Sequence, residues 1–333
     1  MSMARALRMF GTIALVLAGV ILLITPYAGN PFWTGLMAQI LIFGLLALSV
    51  DLLMRHTGLF PMCNGAFFAV AAYTVAMLEV NYGVASPFAA LAGIASAGVT
   101  GMVFGVSVRA SGVYFILVTL ALGQLVWGVS VQWTWLTGGD NGITNVPYPS
   151  LGDMRIGSLT QMYYFVAFVV IFFTLLYRQV IRSPFGLSLN GIRDSESRMT
   201  ALGFNVTVRK YVAFVISSLF AGVAGVLYAY TVQFVSPAAS SLLISVEAAL
   251  MPILGGPGTV FGAFIGAVII IGIRNVVSGF LSGWPIVMGL VFIIVVLFAP
   301  KGILGIFNDL LRRSDRRDQA ADAARKDVRE AEQ

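Results

Sequence analysis

Charge is what this chain has least of. Asp, Glu, Lys and Arg together make up 10% of its 333 residues, whereas a soluble domain carries about a quarter. Apolar residues make up 59% and the mean hydropathy is +0.92, so there is too little polar surface to coat a water-soluble globule. Cysteine is nearly absent as well. Cys63 stands alone, which excludes an intrachain disulfide, and its apolar neighbours make it read as a small buried hydrophobe. His56 is the sole histidine, with no second His, Cys or acid at ligand spacing, which argues against a metal site. Missing too is any Gly-x-x-x-x-Gly-Lys-Ser/Thr loop for nucleotide phosphates. With no nucleophile–base pair and no cofactor motif in view, neither enzyme chemistry nor a bound cofactor is expected.

What the chain has in abundance is the apolar run, several of them reaching the roughly 20 residues that cross a bilayer. Spans read at about 35–54, 62–80, 86–108, 112–133, 161–178, 210–232 and 283–300. Ahead of them, Arg5 and Arg8 precede an apolar stretch from Phe10 to about Thr25. No small-x-small cleavage site follows it, so it reads as an uncleaved first helix rather than a signal peptide. The net charge of +6 could suggest nucleic acid, but its placement follows the rule that Lys and Arg collect in cytoplasmic loops. With the N-terminus inside, Arg55, Arg109 and the cluster Arg178, Arg182, Arg193, Arg198, Arg209 and Lys210 all fall on the cytoplasmic side.

The basic tail joins them only if residues 242–275 do not cross completely. The apolar residues there are interrupted at Gly255-Gly256-Pro257-Gly258. Irregular backbone at membrane depth is tolerated where protein or a water-filled cavity shields it. A re-entrant hairpin entering from the periplasmic side satisfies both constraints and leaves only Arg155 and Arg274 outside. The expected fold is therefore an all-α membrane protein. It has about eight transmembrane helices plus a Gly-interrupted re-entrant hairpin, and both termini are cytoplasmic. Residues 1–300 form the membrane domain, and 301–333 form a polar, solvated tail. Gly101 with Gly105, and Gly262 with Gly266, have the small-residue spacing that lets membrane helices approach closely.

The longest polar segment between spans runs over 179–209. Ser183-Pro184 suits a helix start, and a second short helix is expected over Ser195–Leu202, capped by Asp194 and stopped by Gly203. Ile192, Met199 and Leu202 would form its apolar stripe beside Arg193, Glu196 and Arg198. Such a helix reads equally as a docking element for a soluble partner or as an interfacial helix on lipid headgroups.

This segment resembles the cytoplasmic coupling segment of LivM-type permeases of branched-chain amino acid ABC transporters. Four further blocks agree in order and spacing: TGLFPMCNGAFFAVAAYTVAML at 57–78, SGVYFILVTLALGQLVWGV at 111–129, TGGDNGITNVP at 137–147, and LLISVEAALMPILGGPGTVFGAFIGA at 242–267, closed by VVLFAPKGILGIF at 295–307. Together they cover most of residues 35–307. The resemblance implies a bacterial inner-membrane permease, paired with a second, similar permease around a translocation path. It implies two cytoplasmic ATP-binding subunits that receive Pro184, Gly186, Arg193, Asp194, Glu196, Arg198, Ala201, Leu202 and Gly203. A periplasmic binding protein delivers the substrate: branched-chain amino acids, or urea, amides or aromatic acids in similar permeases. Where the family pattern carries Ser-Leu-Gly-His, this chain has Pro61-Met62-Cys63-Asn64, and it has Asp51 and Arg55 where Asn and Gly are common. These departures leave the substrate open.

Buried carboxylates invite a functional reading because a charge at a helix centre costs about 2.5–3.5 kcal/mol. Glu247 reads as lining the path or as holding the hairpin through a bond to a partner helix. Asp51 reads as an i,i+4 partner of Arg55, and Glu79 as a solvated residue at a span end. Trp127, Trp133, Trp135 and Trp284 read as interfacial anchors. Substrate contact, if this chain makes any, is expected at Asn64, Phe67, Glu247, Gly255, Gly256 and Gly258. An ion-coupled carrier would need a relay of embedded acids or histidines, and an embedded enzyme a polar cluster; neither is visible in the sequence.

Overall fold

The computed structural model describes residues 30–151, 154–256 and 260–277, with a few isolated positions between 279 and 293. The expected first helix at 10–25, the last span at 283–300 with Trp284, and the tail at 301–333 lie outside the described residues.

Three of the long helices begin at a residue whose side chain accepts from a free N–H of the first turn. Helix α1 (Pro31–Thr57) starts at Asn30, whose Oδ1 accepts from the Phe32 N–H at 3.0 Å, with Pro31 in the first turn. It stops at Gly58, which takes the left-handed conformation (φ 73°) and donates its N–H to the Leu53 carbonyl, as glycine does at helix ends. After an irregular stretch come α2 (Asn64–Val80), α3 (Ser86–Phe104) with a 3-10 extension over Gly105–Arg109, and α4 (Val113–Gln132). Helix α5 (Leu159–Arg182) is capped by Ser158. Two short helices follow, α6 (Pro184–Asp194) and α7 (Glu196–Ala201), and then α8 (Val206–Val232). Helices α9 (Leu242–Gly255) and α10 (Val260–Val277) end the described chain.

Among the described residues, five helices are long and apolar enough to cross a membrane: α1, α3 with its extension, α4, α5 and α8. A sixth candidate is the pair α9–α10, whose axes bend by 120° at the break between them. At the ends of the bundle two two-residue ladders tie loops together: β1 (Ile143–Thr144) pairs antiparallel with β4 (Phe234–Val235), and β2 (Ser150–Leu151) with β3 (Met154–Arg155).

The core lies around α1, α2 and α8. Aromatic rings fill it edge to face: Phe67 packs on Phe214 at 5.6 Å, and Phe43 on Tyr228 at 6.2 Å. Hydrophobic force does not press helices together in lipid, so close backbone approach and buried hydroxyls must hold them. A Cβ at Gly225 of α8 would overlap the Phe68 carbonyl of α2. The two expected small-residue pairs both lie on contact faces. Gly101 and Gly105 face Ser218 and Tyr211 of α8, and the α9–α10 contact passes through Gly255, the Gly262 carbonyl, and Gly266 against the Met251 carbonyl. By contrast α4 and α5 leave most of their apolar surface exposed, including Leu117, Leu125, Phe168 and Leu175.

Candidate functional site

The polar segment after α5 folds into a fastened elbow. Ser183 Oγ accepts from the Gly186 N–H at 3.3 Å, with Pro184 at the first helical position. Gly186 turns hard against the end of α5, where any Cβ would overlap the Ile181 carbonyl. The second cap differs from expectation: Ser195, not Asp194, begins α7, its Oγ accepting from the Arg198 N–H. Asp194 instead ends α6 and accepts from Arg193 at 2.8 Å. A serine with extended backbone reaches the third N–H ahead of it, and Asp194 is still inside the preceding helix. Gly203 follows α7 with φ 85°, the stop expected of it.

The apolar stripe also divides. Ile192 and Met199 are buried, but Leu202 is 72% exposed. Several bonds hold the buried face to the bundle. His56 at the end of α1 pairs through Nδ1 with Asn190 Oδ1 at 2.8 Å. Arg193 donates to the Arg55 carbonyl at 2.9 Å. Lys210 of α8 bonds Glu196, and Arg209 donates to Ser188 Oγ. Four of the expected partner-facing residues thus divide by role: Arg193, Asp194 and Glu196 anchor the elbow, while Arg198 has no side-chain partner among the described residues. With Leu187, Ala201 and Leu202, Arg198 makes the outward face. The sequence reading missed Asn190 and His56 as fastenings; a lone His beside the polar loop was the available signal.

The second feature is the stretch between α1 and α2. It was expected as a short cytoplasmic loop, with the next span starting at 62. The helix starts instead at Asn64, and Leu59, Pro61 and Cys63 before it are buried. Asn64 is fully buried, and its Nδ2 donates to Ser49 Oγ at 2.8 Å and to Ser217 Oγ at 3.0 Å. At about 1.5 Å rise per residue, Ser49 is about 12 Å in from the Thr57 end of α1, and Ser217 about 16 Å in from the start of α8. Pro61 explains the interruption, since it lacks an N–H and its ring excludes a continuous helix. The Met62 N–H donates to Thr119 Oγ1 of α4 at 3.1 Å, and the Gly65 N–H to Ser245 Oγ of α9 at 3.1 Å. Phe67 is a buried core aromatic.

Among the described residues three carboxylates are buried, each on a different partner. Asp51 accepts from the Tyr177 hydroxyl at 2.7 Å. Glu79 is 8% exposed rather than solvated, and accepts from Tyr230 at 2.6 Å; the sequence neighbours of Glu79 gave no hint of a tyrosine arriving from α8. Glu247 pairs with Arg274 at 3.1 Å, joining α9 to α10, and the guanidinium also lies 4.8 Å from the centre of the Phe43 ring. That pair links the helices on either side of the Gly255–Gly256 break. Gly255 and Gly256 are buried at the end of α9, Gly256 with φ 118°; Gly258 lies outside the described residues. Gly65 and Ser245 bring the start of α2 against the start of α9, so Asn64 and Glu247 belong to neighbouring elements. Among the described residues no cluster of His, Cys, Asp or Glu could hold a metal ion.

Long apolar helices joined by glycine contacts and buried hydroxyls, with one polar helical elbow, make a multi-pass membrane protein. The family described as the branched-chain amino acid transport system permease component matches residues 32–299, and the chain belongs to it. Its relatives include the high-affinity branched-chain amino acid transport system permease protein LivM of Salmonella typhimurium, 29% identical over 79% of this chain and 68% of that one. The probable branched-chain amino acid transport permease protein LivH of Methanocaldococcus jannaschii is 25% identical, over 81% and 90%. The autoinducer 2 import system permease protein LsrC of an Enterobacter species is 28% identical, over 74% and 71%. No solved structure matches the chain.

Proposed function

We propose that this chain is one of two similar permease subunits of an ABC importer in a bacterial inner membrane, admitting branched-chain or related amino acids to the cytoplasm. Separate ATPase subunits hydrolyse the ATP, and a periplasmic binding protein brings the substrate. Eight spans and a re-entrant α9–α10 hairpin place both termini and the elbow in the cytoplasm. The 120° bend and the close α9–α10 contact at Gly255 and Gly266 support the hairpin.

The observation that carries the reading is the divided elbow. Its inner face is bonded to the ends of α1 and α8, while Leu187, Arg198 and Leu202 face outward without a partner among the described residues. A surface held that firmly at one side transmits a push applied at the other. ATP-driven closure of the ATPases would move Pro184–Gly203 and, through it, switch the permease pair between outward and inward access. The path residues remain Asn64, Phe67, Glu247, Gly255, Gly256 and Gly258. The relative named for autoinducer 2 import keeps the substrate class open within this architecture. An ion-coupled carrier would chain its buried acids, whereas Asp51, Glu79 and Glu247 each bond a partner of their own.

A photo-crosslinking amino acid at Leu202 tests this. Capture of a nucleotide-binding subunit in native membranes is expected, and capture of lipid alone would overturn the docking role.

A further inference from the structure

The stretch between α1 and α2 leaves more acceptors than donors without a partner among the described residues. None of the carbonyl groups of Gly58, Leu59, Phe60, Pro61 and Met62 receives a hydrogen bond from another described residue. Pro61 has no N–H to give. Unpaired carbonyls cost several kcal/mol each in hydrocarbon and are tolerated at membrane depth where protein or a water-filled cavity shields them. The depth is fixed by the partners on either side. Met62 bonds Thr119, about 9 Å into α4, and Asn64 bonds Ser49, about 12 Å into α1.

Asn64 adds a further acceptor, and its orientation is forced. Ser49 Oγ spends its proton on the Leu46 carbonyl, and Ser217 Oγ spends its proton on the Ser49 carbonyl. Both hydroxyl oxygens can then only accept, so the amide nitrogen must face them. The Asn64 Oδ1 is left pointing away, fully buried and without a donor. The left-handed Gly58 ends α1 here, and the last carbonyls of a helix carry partial negative charge. The unmet carbonyls and the Asn64 Oδ1 therefore attract an N–H donor or a positive charge. Broken membrane helices present such backbone to cations in other transporters.

We infer that the α1–α2 break, Gly58–Met62 with Asn64, is a contact site on the translocation path for the ammonium group of a solute in transit. The inference rests on the permease reading. Gly123 lets α4 approach the Met62 carbonyl closely, since a Cβ there would lie 3.2 Å from its oxygen.

The test is thiol labelling of the whole transporter in inner-membrane vesicles, with Cys63→Ala removing the native thiol and Met62→Cys supplying the probe. A cationic methanethiosulfonate should react about tenfold faster than an anionic one of equal size, as expected where fixed dipoles concentrate one sign of charge. Leucine should slow the cationic reagent, and its deaminated keto-acid analogue should not. Adding Asn64→Leu should reduce the cation preference while labelling persists. Absence of labelling by either reagent would mean a dry break, and equal rates would mean no charge preference; each overturns the site. Slowing by sodium or potassium as strongly as by leucine would make the ligand a metal cation and overturn the ammonium assignment. Uptake that needs no ATP would defeat the importer reading alone, because the labelling rates stand independently of the energy source.

Discussion

At the residue scale, the bundle is decided by a few polar atoms in an apolar medium. Glu247 has a 1% exposed side chain, and Arg274 is its ion-pair partner across the α9–α10 contact. Removing one member of such a pair leaves a buried charge and costs about 3–5 kcal/mol, whereas replacing both by apolar residues is often neutral. Arg274→Leu should lower the thermal midpoint of the purified protein by several degrees, and Glu247→Leu with Arg274→Leu should recover most of the loss. Equal destabilisation in the single and double variants would show that the pair is not the fastening. Gly225→Val should also destabilise, since its side chain would meet the Phe68 backbone; a lost or shifted melting transition would register it. These roles were partly legible in the sequence. Glu247 stood out because carboxylates are rare in such stretches. Arg274, 27 residues further on, could not be assigned to it, because the pairing depends on how sharply the chain turns at Gly255–Gly256.

At the scale of elements, helix type and position were legible from apolar runs and caps, because bilayer thickness fixes how long such a run must be. Two features were not. The α1–α2 break looked like an ordinary loop: Gly58 and Pro61 announce an interruption but not its depth, which is set by Ser49, Ser217 and Thr119 on three other helices. The elbow's two faces were likewise merged, because Leu202 fits the same helical stripe as Met199 until Gly203 and the start of α8 fix the segment. The consequence is a sharper mutational forecast. Arg193→Glu would set a carboxylate beside Asp194 and lose the bond to the Arg55 carbonyl, so it should loosen the elbow itself. Arg198→Glu removes only an outward charge. It should cut ATP-driven uptake about tenfold, the size of a docking contact worth about 1.4 kcal/mol, with the melting temperature unchanged. Intact uptake in the Arg198→Glu variant, measured in vesicles, would place the docking surface elsewhere.

At the scale of the whole molecule, the fold divides into a tightly knit centre and a loosely covered side. Helices α1, α2 and α8 are bound by glycine contacts and hydroxyl bonds, while α4 and α5 keep large apolar faces free. The free faces of α4 and α5 suit contact with lipid or with another apolar surface. The sequence carries no Gly-x-x-x-x-Gly-Lys-Ser/Thr nucleotide loop, and the proposed importer takes its energy from separate ATPase subunits. The most direct measurement is solute uptake by the purified permease pair, reconstituted with its copurifying ATPase subunits and binding protein in liposomes free of ion gradients. The account predicts leucine or related amino-acid accumulation that requires ATP and binding protein together. Uptake driven by a sodium or proton gradient without either would contradict it.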